Sequence, residues 1–269
     1  MIWSMGRVGH RGTLLAGALI AVVLVAAGCG NEDEDPWTQP AEGEVLLPDL
    51  QPVPPIDIHT KQADDGGWTV EFSSSVVNVG KGDFHATANK GPGATWMVTQ
   101  DLEHEKGAEQ VATEAKLIWG GDQHEHWHVE RYVTYELFAL DAAGEPTGEA
   151  RTDHKIGFCI YDFRRASGDL GPDEAVYGKK GCGTKDSTHL VMGLTPGWAD
   201  DYNFRLPGQS IEIGDLPDGS YRIFARADEN ALFREASTDN NETWVDFTLS
   251  TDDEGSRLAL VVGSGPSPE

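Results

Sequence analysis

The sequence predicts an all-β protein, an antiparallel β-sandwich-like domain with long loops and little helix. Apolar and polar residues alternate over several short segments, the clearest being Trp68–Phe72, Tyr221–Arg226 and Val245–Leu249. Period-two patterns of this kind are typical of half-buried strands. Turn sequences rich in glycine and proline separate these segments, for example at Gly80–Gly82 and Pro217–Gly219. Alternating strands joined by such turns favour an antiparallel arrangement.

The N-terminus has the features of a secretion signal. Arg7 and Arg11 precede an apolar run, Leu14–Ala27, which is shorter than the about 20 apolar residues of a membrane-spanning helix. Val25–Cys29 resembles a bacterial lipobox, in which the cysteine carries a lipid. We therefore expect residues 1–28 to be a lipoprotein signal peptide, with Cys29 anchoring an extracytoplasmic protein to a membrane in the periplasm or at the cell surface. The alternative is an ordinary signal peptide and an incidental cysteine.

Composition divides the rest of the chain into three parts. Residues 29–44 are acidic and contain proline, as expected of a tether. Residues 45–250 carry the strand patterns and have the length of one domain with a proper core. Residues 251–269 form a C-terminal tail, in which Arg257–Val262 could add an edge strand. The one segment where a turn or two of helix is expected is Glu105–Lys116, and it lacks an apolar stripe.

The cysteine count predicts a disulfide. The chain contains three cysteines. Assigning Cys29 to a lipid leaves Cys159 and Cys182, an even pair in a compartment that is oxidising. We therefore expect these two residues to be joined.

The charge balance limits the possible partners. The chain has 45 acidic and 20 basic residues and a formal net charge of −25. Such a surface repels nucleic acid, which we exclude as a partner, and attracts cations such as amines and divalent metals. Solubility in a salty habitat explains the same charge equally well.

The strongest chemical signal is a histidine stripe in which His124, His126 and His128 alternate with other residues. On a strand, alternate side chains point to one face, so the three imidazoles project together. Neutral imidazole binds copper, zinc, nickel or iron, and three protein ligands leave coordination positions open. A solvated histidine-rich loop that binds metal adventitiously is the alternative.

The segment Asp122–His128 resembles the copper-binding segment of the lysyl oxidase family. Further blocks of the family occur in the same order along the chain, at Leu47–Leu50, Asn78–Gly80, His154–Cys159, Gly193–Gly197, Asp201–Tyr202, Gly219–Tyr221 and Glu235–Asn241. One block could match by chance, whereas all of them in order could not. The sequence is thus identified as similar to this family from Leu47 to Asn241.

The resemblance implies a function and its site residues. His124, His126 and His128 would hold copper, and Lys155 and Tyr202 would form a lysine tyrosylquinone cofactor. The activity implied is oxidative deamination of primary amines, either small amines or lysine side chains of proteins, by molecular oxygen. The products are aldehyde, hydrogen peroxide and ammonia. Without the family resemblance, Lys155 would be interpreted as a solvated lysine and Tyr202 as a core tyrosine.

The family resemblance also implies a calcium site, formed by Asp49, the Leu50 carbonyl, Glu235, Asn240 and Asn241. These are hard oxygen donors, which suit calcium. Ser237 stands where the family places an acid. Ordinary turn chemistry of asparagine and aspartate is the alternative explanation.

The general base is left open. Asp200, Asp201 and Glu130 are candidates because they adjoin cofactor or ligand residues, although each also reads as a surface carboxylate. Two other functions compete with the amine oxidase. One is a non-catalytic copper-binding lipoprotein that uses the histidine triad, and the other is a zinc hydrolase on the same three residues.

Overall fold

The computed structural model describes residues 40–121, 124–152 and 157–268, without the side chain of His124. Within these ranges the chain forms strands and two 3-10 turns, at Pro92–Ala94 and Lys179–Cys182, and no α-helix, so the all-β prediction is confirmed. The strands are β1 (Glu42–Leu46), β2 (Leu50–Gln62), β3 (Trp68–Asn78), β4 (Phe84–Lys90), β5 (Trp96–Lys106), β6 (Ala108–Ala112), β7 (Leu117–Gly121), β8 (His124–Glu130), β9 (Val133–Leu140), β10 (Pro146–Thr152), β11 (Gly157–Phe158), β12 (Arg164–Arg165), β13 (His189–Leu194), β14 (Trp198–Tyr202), β15 (Ser210–Glu212), β16 (Gly219–Ala227), β17 (Glu242–Thr251) and β18 (Arg257–Ser264).

The strands pair antiparallel in four sheets. One sheet has the order β1-β5-β4-β13, with β6 also on β5, and a second has the order β10-β9-β16-β17-β18. A small sheet, β11-β8-β7, carries the histidine stripe. In the fourth sheet β3 pairs with β2 on one side, and with β14 and β15 one after the other on the opposite side. β14, which ends at Tyr202, is thereby fixed to a central strand.

The predicted alternation sets which side chains enter the core. On β3, Val70 and Phe72 are fully buried, while Glu71 between them is partly exposed. The same alternation holds on β16 and β17, whose inward side chains are Tyr221, Ile223, Ala225, Val245, Phe247 and Leu249. Each large apolar side chain that leaves water contributes about 1.5–3 kcal/mol to folding. The core that results is contiguous and reaches Cys159 and Tyr202.

The prediction of helical turns at Glu105–Lys116 is wrong. β5 continues to Lys106, Gly107 turns with a positive φ of 68°, and β6 returns along β5. The His104 amide donates to the Gly107 carbonyl at 3.0 Å, which closes the turn. A left-handed backbone costs glycine little, so a hairpin forms where helical turns were expected. The expected edge strand in the tail does form, because β18 pairs with β17.

No helix in the described ranges is long and apolar enough to cross a membrane. The described residues all belong to one compact unit, Asp35–Glu269.

Asp83, just before β4, is a carboxyl group that should make stability depend on pH. Burial raises the pKa of Asp83 to about 6, although the Tyr177 hydroxyl donates to it at 2.8 Å. The folded protein therefore holds a proton that the unfolded chain releases near pH 4. Between these values the free energy of unfolding should fall as pH rises, by about 2–3 kcal/mol. Urea unfolding of wild-type and Asp83→Asn protein from pH 4 to pH 7 measures the contribution of Asp83 to this pH dependence.

The Asp83→Asn variant should lack that part of the slope, since asparagine does not titrate. Asp64→Asn changes an exposed carboxylate in the same way and serves as the control. Identical pH slopes for wild type and Asp83→Asn would contradict the assignment.

Candidate active site

β8 places His126 and His128 on one face, as their spacing predicts. It pairs with β7 on one side and with β11 on the other. The Nε2 atoms of His126 and His128 lie 3.0 Å apart, and their ring centroids are separated by 4.7 Å. Two imidazole nitrogens at this distance converge on one point, as ligands of a shared cation would. The side chain of His124, the third predicted ligand, lies outside the described atoms.

The opposite face of β8 is fixed by tryptophans. Trp127 packs edge to face against Trp119 at 5.4 Å and Trp96 at 5.0 Å, and its indole N–H donates to the Thr184 carbonyl at 2.9 Å. Trp119 stands directly opposite Trp127 on β7, a cross-strand aromatic pair. Since successive side chains alternate on a strand, anchoring Trp127 on one face commits His126 and His128 to the other.

Gly157 brings β11 close to the histidines. A Cβ atom at this position would lie 2.7 Å from the His128 Cβ and 2.9 Å from a methyl group of Ile118. Only glycine therefore lets β11 pair with β8 here without displacing His128. Lys155, the predicted cofactor lysine, belongs to residues 153–156 and lies outside the described residues.

Tyr202, the predicted cofactor tyrosine, is buried at the end of β14. Its hydroxyl donates to the Cys159 carbonyl at 2.6 Å, and its ring meets the edge of Phe158 at 4.8 Å. Burial raises the pKa of the Tyr202 phenol well above its usual value, and the adjacent Asp200 carboxylate raises it further. The phenolate therefore forms here only with a nearby cation to stabilise it.

The backbone at Cys159, whose carbonyl accepts the hydrogen bond from the Tyr202 hydroxyl, is fixed by a covalent bond. Cys159 forms a disulfide with Cys182, as predicted from the cysteine count. Both cysteines are buried. The bridge links the end of β11 to the 3-10 turn Lys179–Cys182, and so it fixes the backbone that Tyr202 contacts.

His126 and Tyr202 line the same cavity, whose volume is about 630 Å³. These two residues are far apart in the sequence and come from different sheets. The described side chains around the cavity, with these two, are Val53, Pro54, Ile56, Asp57, Ser73, Ser74, Ser75, Cys159, Tyr161, Phe163, Arg164, Lys179, Asp201, Asn203 and Leu206. The predicted metal-ligand strand and the predicted cofactor tyrosine thus share one space. No group of three or more His, Cys, Asp or Glu side chains in the described part of the chain is arranged to hold a metal ion.

The three candidate bases occupy different environments. Asp200 is 1% exposed and interacts with the Tyr202 side chain. Asp201 is held by two hydrogen bonds from Arg164, at 2.6 and 3.0 Å, and a third from Ser75 at 2.5 Å. Glu130 lies at the end of β8 and is partly exposed. Asp200 is therefore the candidate best placed to exchange a proton near Tyr202.

The five predicted calcium residues form two hydrogen-bonded groups, which make up one network through the chain neighbours Asp49–Leu50 and Asn240–Asn241. Leu50 contributes its amide and not the predicted carbonyl. The Asn240 amide donates to Asp49 at 2.8 Å and the Asn241 amide donates to Glu235 at 2.9 Å. The Leu50 amide donates to Glu235 at 2.6 Å. Burial raises the pKa of Glu235 to about 8, and it also raises the pKa of Asp49.

The oxygen atoms of this network suit a hard cation. The side-chain oxygens of Asn240 and Asn241 are buried and have no hydrogen-bond donor. An orphaned acceptor and a carboxyl group with a raised pKa both cost free energy, and a bound cation would remove both costs. Local turn chemistry is present as well, since the Asp239 amide donates to Ser237 Oγ at 3.2 Å.

Sequence reasoning missed several residues around the cavity. Arg164, which neutralises Asp201, follows Cys159 by five positions, and no motif links it to an aspartate on β14. Ile56, Phe163 and Leu206 come from three separate segments, so no local pattern groups them. The contact between the Phe158 ring and Tyr202 could have been predicted, because Phe158 belongs to the His154–Cys159 block.

Comparison with known proteins supports the resemblance read from the sequence. A family model described as lysyl oxidase matches residues 100–255, more than half of the chain. This range includes His124, His126, His128, Lys155 and Tyr202.

Curated relatives match over a shorter stretch. Chicken protein-lysine 6-oxidase is 29% identical over 119 residues, 44% of this chain and 24% of the relative. Human lysyl oxidase homolog 1 is 30% identical over 120 residues, 44% of this chain and 18% of the relative. Pig protein-lysine 6-oxidase is 28% identical over 119 residues, 44% of this chain and 41% of the relative. The aligned part thus spans less than half the length of each relative.

Proposed function

The chain belongs to the lysyl oxidase family, and we propose that it is a copper- and quinone-dependent amine oxidase. It would convert primary amines, oxygen and water to aldehydes, ammonia and hydrogen peroxide. The observation that carries the proposal is the shared cavity, lined by His126 of the histidine strand and by Tyr202. A protein that only stores copper needs a histidine site but has no use for a buried tyrosine beside it.

His124, His126 and His128 would hold the copper. The convergence of the His126 and His128 nitrogens at 3.0 Å supports this assignment. In the metal-free protein one ring must donate to the other, whereas a bound ion lets both nitrogens act as acceptors. Copper bound there would supply a redox-active cation beside a tyrosine whose ionisation is otherwise suppressed.

Tyr202 and Lys155 would be joined as lysine tyrosylquinone, which would supply the carbonyl group that reacts with an amine. Tyr202 is buried, the hydrogen bond to the Cys159 carbonyl restrains its hydroxyl, and the contact with Phe158 restrains its ring. The disulfide of Cys159 holds that acceptor in place. These contacts orient the ring, while the reactive group would do the chemistry.

Asp200 would act as the proton acceptor. Its carboxylate is buried next to Tyr202, and it lies on the same strand two residues away. Asp201 instead forms a two-point ion pair with Arg164. A general base must lie within reach of the proton that it removes, and Asp200 is the candidate next to Tyr202.

The N-terminal sequence and the disulfide suggest the compartment. We propose an extracytoplasmic protein anchored by a lipid on Cys29. The Cys159–Cys182 bridge supports an oxidising compartment, because disulfides rarely persist in the cytosol. Molecular oxygen and a primary amine would be its partners.

Calcium should stabilise the domain through Asp49, Leu50, Glu235, Asn240 and Asn241. At a calcium concentration of about 100 times the dissociation constant, the free energy of unfolding should rise by about 2.7 kcal/mol. Thermal unfolding in calcium and in a chelator measures the effect. Glu235→Gln should remove most of it, while Asp173→Asn, at a side chain that is 96% exposed, should retain it. Equal unfolding midpoints with and without calcium would refute this site.

Copper loading tests the proposed activity. Copper-loaded, aerated protein should release peroxide from a primary amine, and zinc-loaded protein should not. His128→Ala should lose copper affinity by about tenfold or more, because it removes a buried ligand. His189→Ala removes an exposed imidazole on β13 and is the matched control. Copper binding without any peroxide release would favour the non-catalytic copper protein, and hydrolysis by the zinc form would favour a zinc hydrolase.

A further inference from the structure

The side chains that line the 630 Å³ cavity are buried at its deep end, whereas those at its mouth are exposed and apolar. Its deep wall includes Cys159 and Tyr202, which are 2% and 8% exposed. Its mouth carries three large apolar side chains, Ile56, Phe163 and Leu206, which are 59%, 56% and 37% exposed. An apolar group that enters the cavity would cover these side chains and gain their burial.

Charge is balanced among the described residues that line the cavity, in contrast to the chain as a whole. Among the described lining residues, Asp57 and Asp201 oppose Arg164 and Lys179, although the chain has 45 acidic and 20 basic residues. Arg164 is paired with Asp201 in a two-point contact. The described part of the cavity therefore does not concentrate negative charge, and a second ammonium group would gain little there.

Polar groups on the wall are largely engaged within the protein. Ser73 donates to Asp57 at 2.8 Å and Ser75 donates to Asp201 at 2.5 Å. Ser74 accepts hydrogen bonds from Tyr135, at 2.6 Å, and from Gln209, at 2.8 Å. A polar or peptide-like substrate would have to compete with these bonds, whereas an apolar one would leave them intact.

We propose that the substrate is a small primary amine with an uncharged alkyl or aryl body, seated against Ile56, Phe163 and Leu206. This inference rests on the proposed amine oxidase function and selects among its substrates. The cavity volume supports it, because about 300–1,000 Å³ is typical of small-molecule pockets. The peptide backbone of a lysine inserted from a protein would meet the apolar mouth.

A matched pair of amines tests the class. Hexylamine and 1,6-diaminohexane have the same length and differ by one terminal ammonium group. In copper-loaded protein, kcat/KM measured by peroxide release should be about tenfold or more higher for hexylamine. Ethylamine, whose body is four carbons shorter and can bury less apolar surface, should be a poorer substrate than hexylamine. Preference for 1,6-diaminohexane or for a blocked lysine tripeptide would overturn the inference and leave the proposed function intact.

The mouth residues should act on the body of the substrate and not on its amine. Phe163→Ala should lower kcat/KM for hexylamine by about tenfold and leave ethylamine almost unchanged. Leu260→Ala truncates a side chain on β18 that is 68% exposed and lies outside the cavity, so it is the matched control. If Phe163→Ala lowered kcat/KM equally for hexylamine and ethylamine, the proposal that Phe163 binds the apolar body of the substrate would be contradicted.

Calorimetry separates this inference from the proposed reaction. Tyr202→Phe protein cannot form the cofactor, so amines can be titrated into it without turnover. Hexylamine should bind more tightly than 1,6-diaminohexane, and Phe163→Ala in the same background should weaken the binding of hexylamine. If wild-type protein oxidises no amine, the proposed function fails, and this titration still decides the ligand class. Tighter binding of 1,6-diaminohexane than of hexylamine would overturn the inference of an apolar substrate body.

Discussion

Replacing Tyr202 by phenylalanine is expected to lower amine-dependent peroxide release by about a thousandfold or more, while copper binding persists. The variant keeps the ring that packs on Phe158 and removes only the hydroxyl that donates to Cys159. Without that oxygen the ring cannot become a quinone, so the loss should be nearly complete. Peroxide release and copper content, measured on the same preparation, check both halves of the expectation.

Tyr221→Phe is the matched control for this substitution. Tyr221 is also buried, and its hydroxyl also donates to a backbone carbonyl, that of Pro217 at 2.7 Å. Each variant should lose about 1 kcal/mol of stability from the missing hydrogen bond. Only Tyr202→Phe should lose activity. Substantial turnover by copper-loaded Tyr202→Phe would contradict the assignment of the cofactor tyrosine.

Removing the disulfide is expected to produce the largest change in stability. A Cys159→Ser, Cys182→Ser double variant should lose about 3 kcal/mol, since the bridge closes a loop with a sequence separation of 23 residues. For a domain of this size that loss lowers the unfolding temperature by roughly 6–12 °C. Urea and thermal unfolding of both proteins measure the difference.

The double variant also tests the link from the disulfide to the cavity. Reductant should destabilise wild-type protein and leave the variant unchanged. Because Cys159 supplies the acceptor for the Tyr202 hydroxyl, cofactor formation in the folded variant should be slower than in wild type. A variant as stable as wild type would show that packing alone holds this loop.

The strands were predictable because their local pattern and their tertiary role agree. Val70 and Phe72 are buried as their alternation requires, and the paired side chains of β16 and β17 follow the same rule. The prediction of helical turns at Glu105–Lys116 was wrong because local composition carries no information about the partner strand. Gly107 allows a turn, and pairing of β6 along β5 then outweighs the weak helical preference.

The site was predictable only in part. The spacing of His126 and His128 places them on one face of β8 wherever that strand lies in the fold. Tyr202 has no such local signal, since a tyrosine at the end of an apolar strand is usually a core residue. Its place in the cavity arises from the pairing of β14 with β3 and from the contact with Cys159, both long-range.

Peptide mapping by mass spectrometry detects the proposed cross-link between Lys155 and Tyr202 itself. Copper-loaded, aerated protein should yield a peptide in which Lys155 and Tyr202 are covalently joined, with one oxygen gained and four hydrogens lost. Metal-free protein should yield the two residues in separate, unmodified peptides. Separate, unmodified peptides from copper-loaded protein that nevertheless oxidises amines would contradict the account.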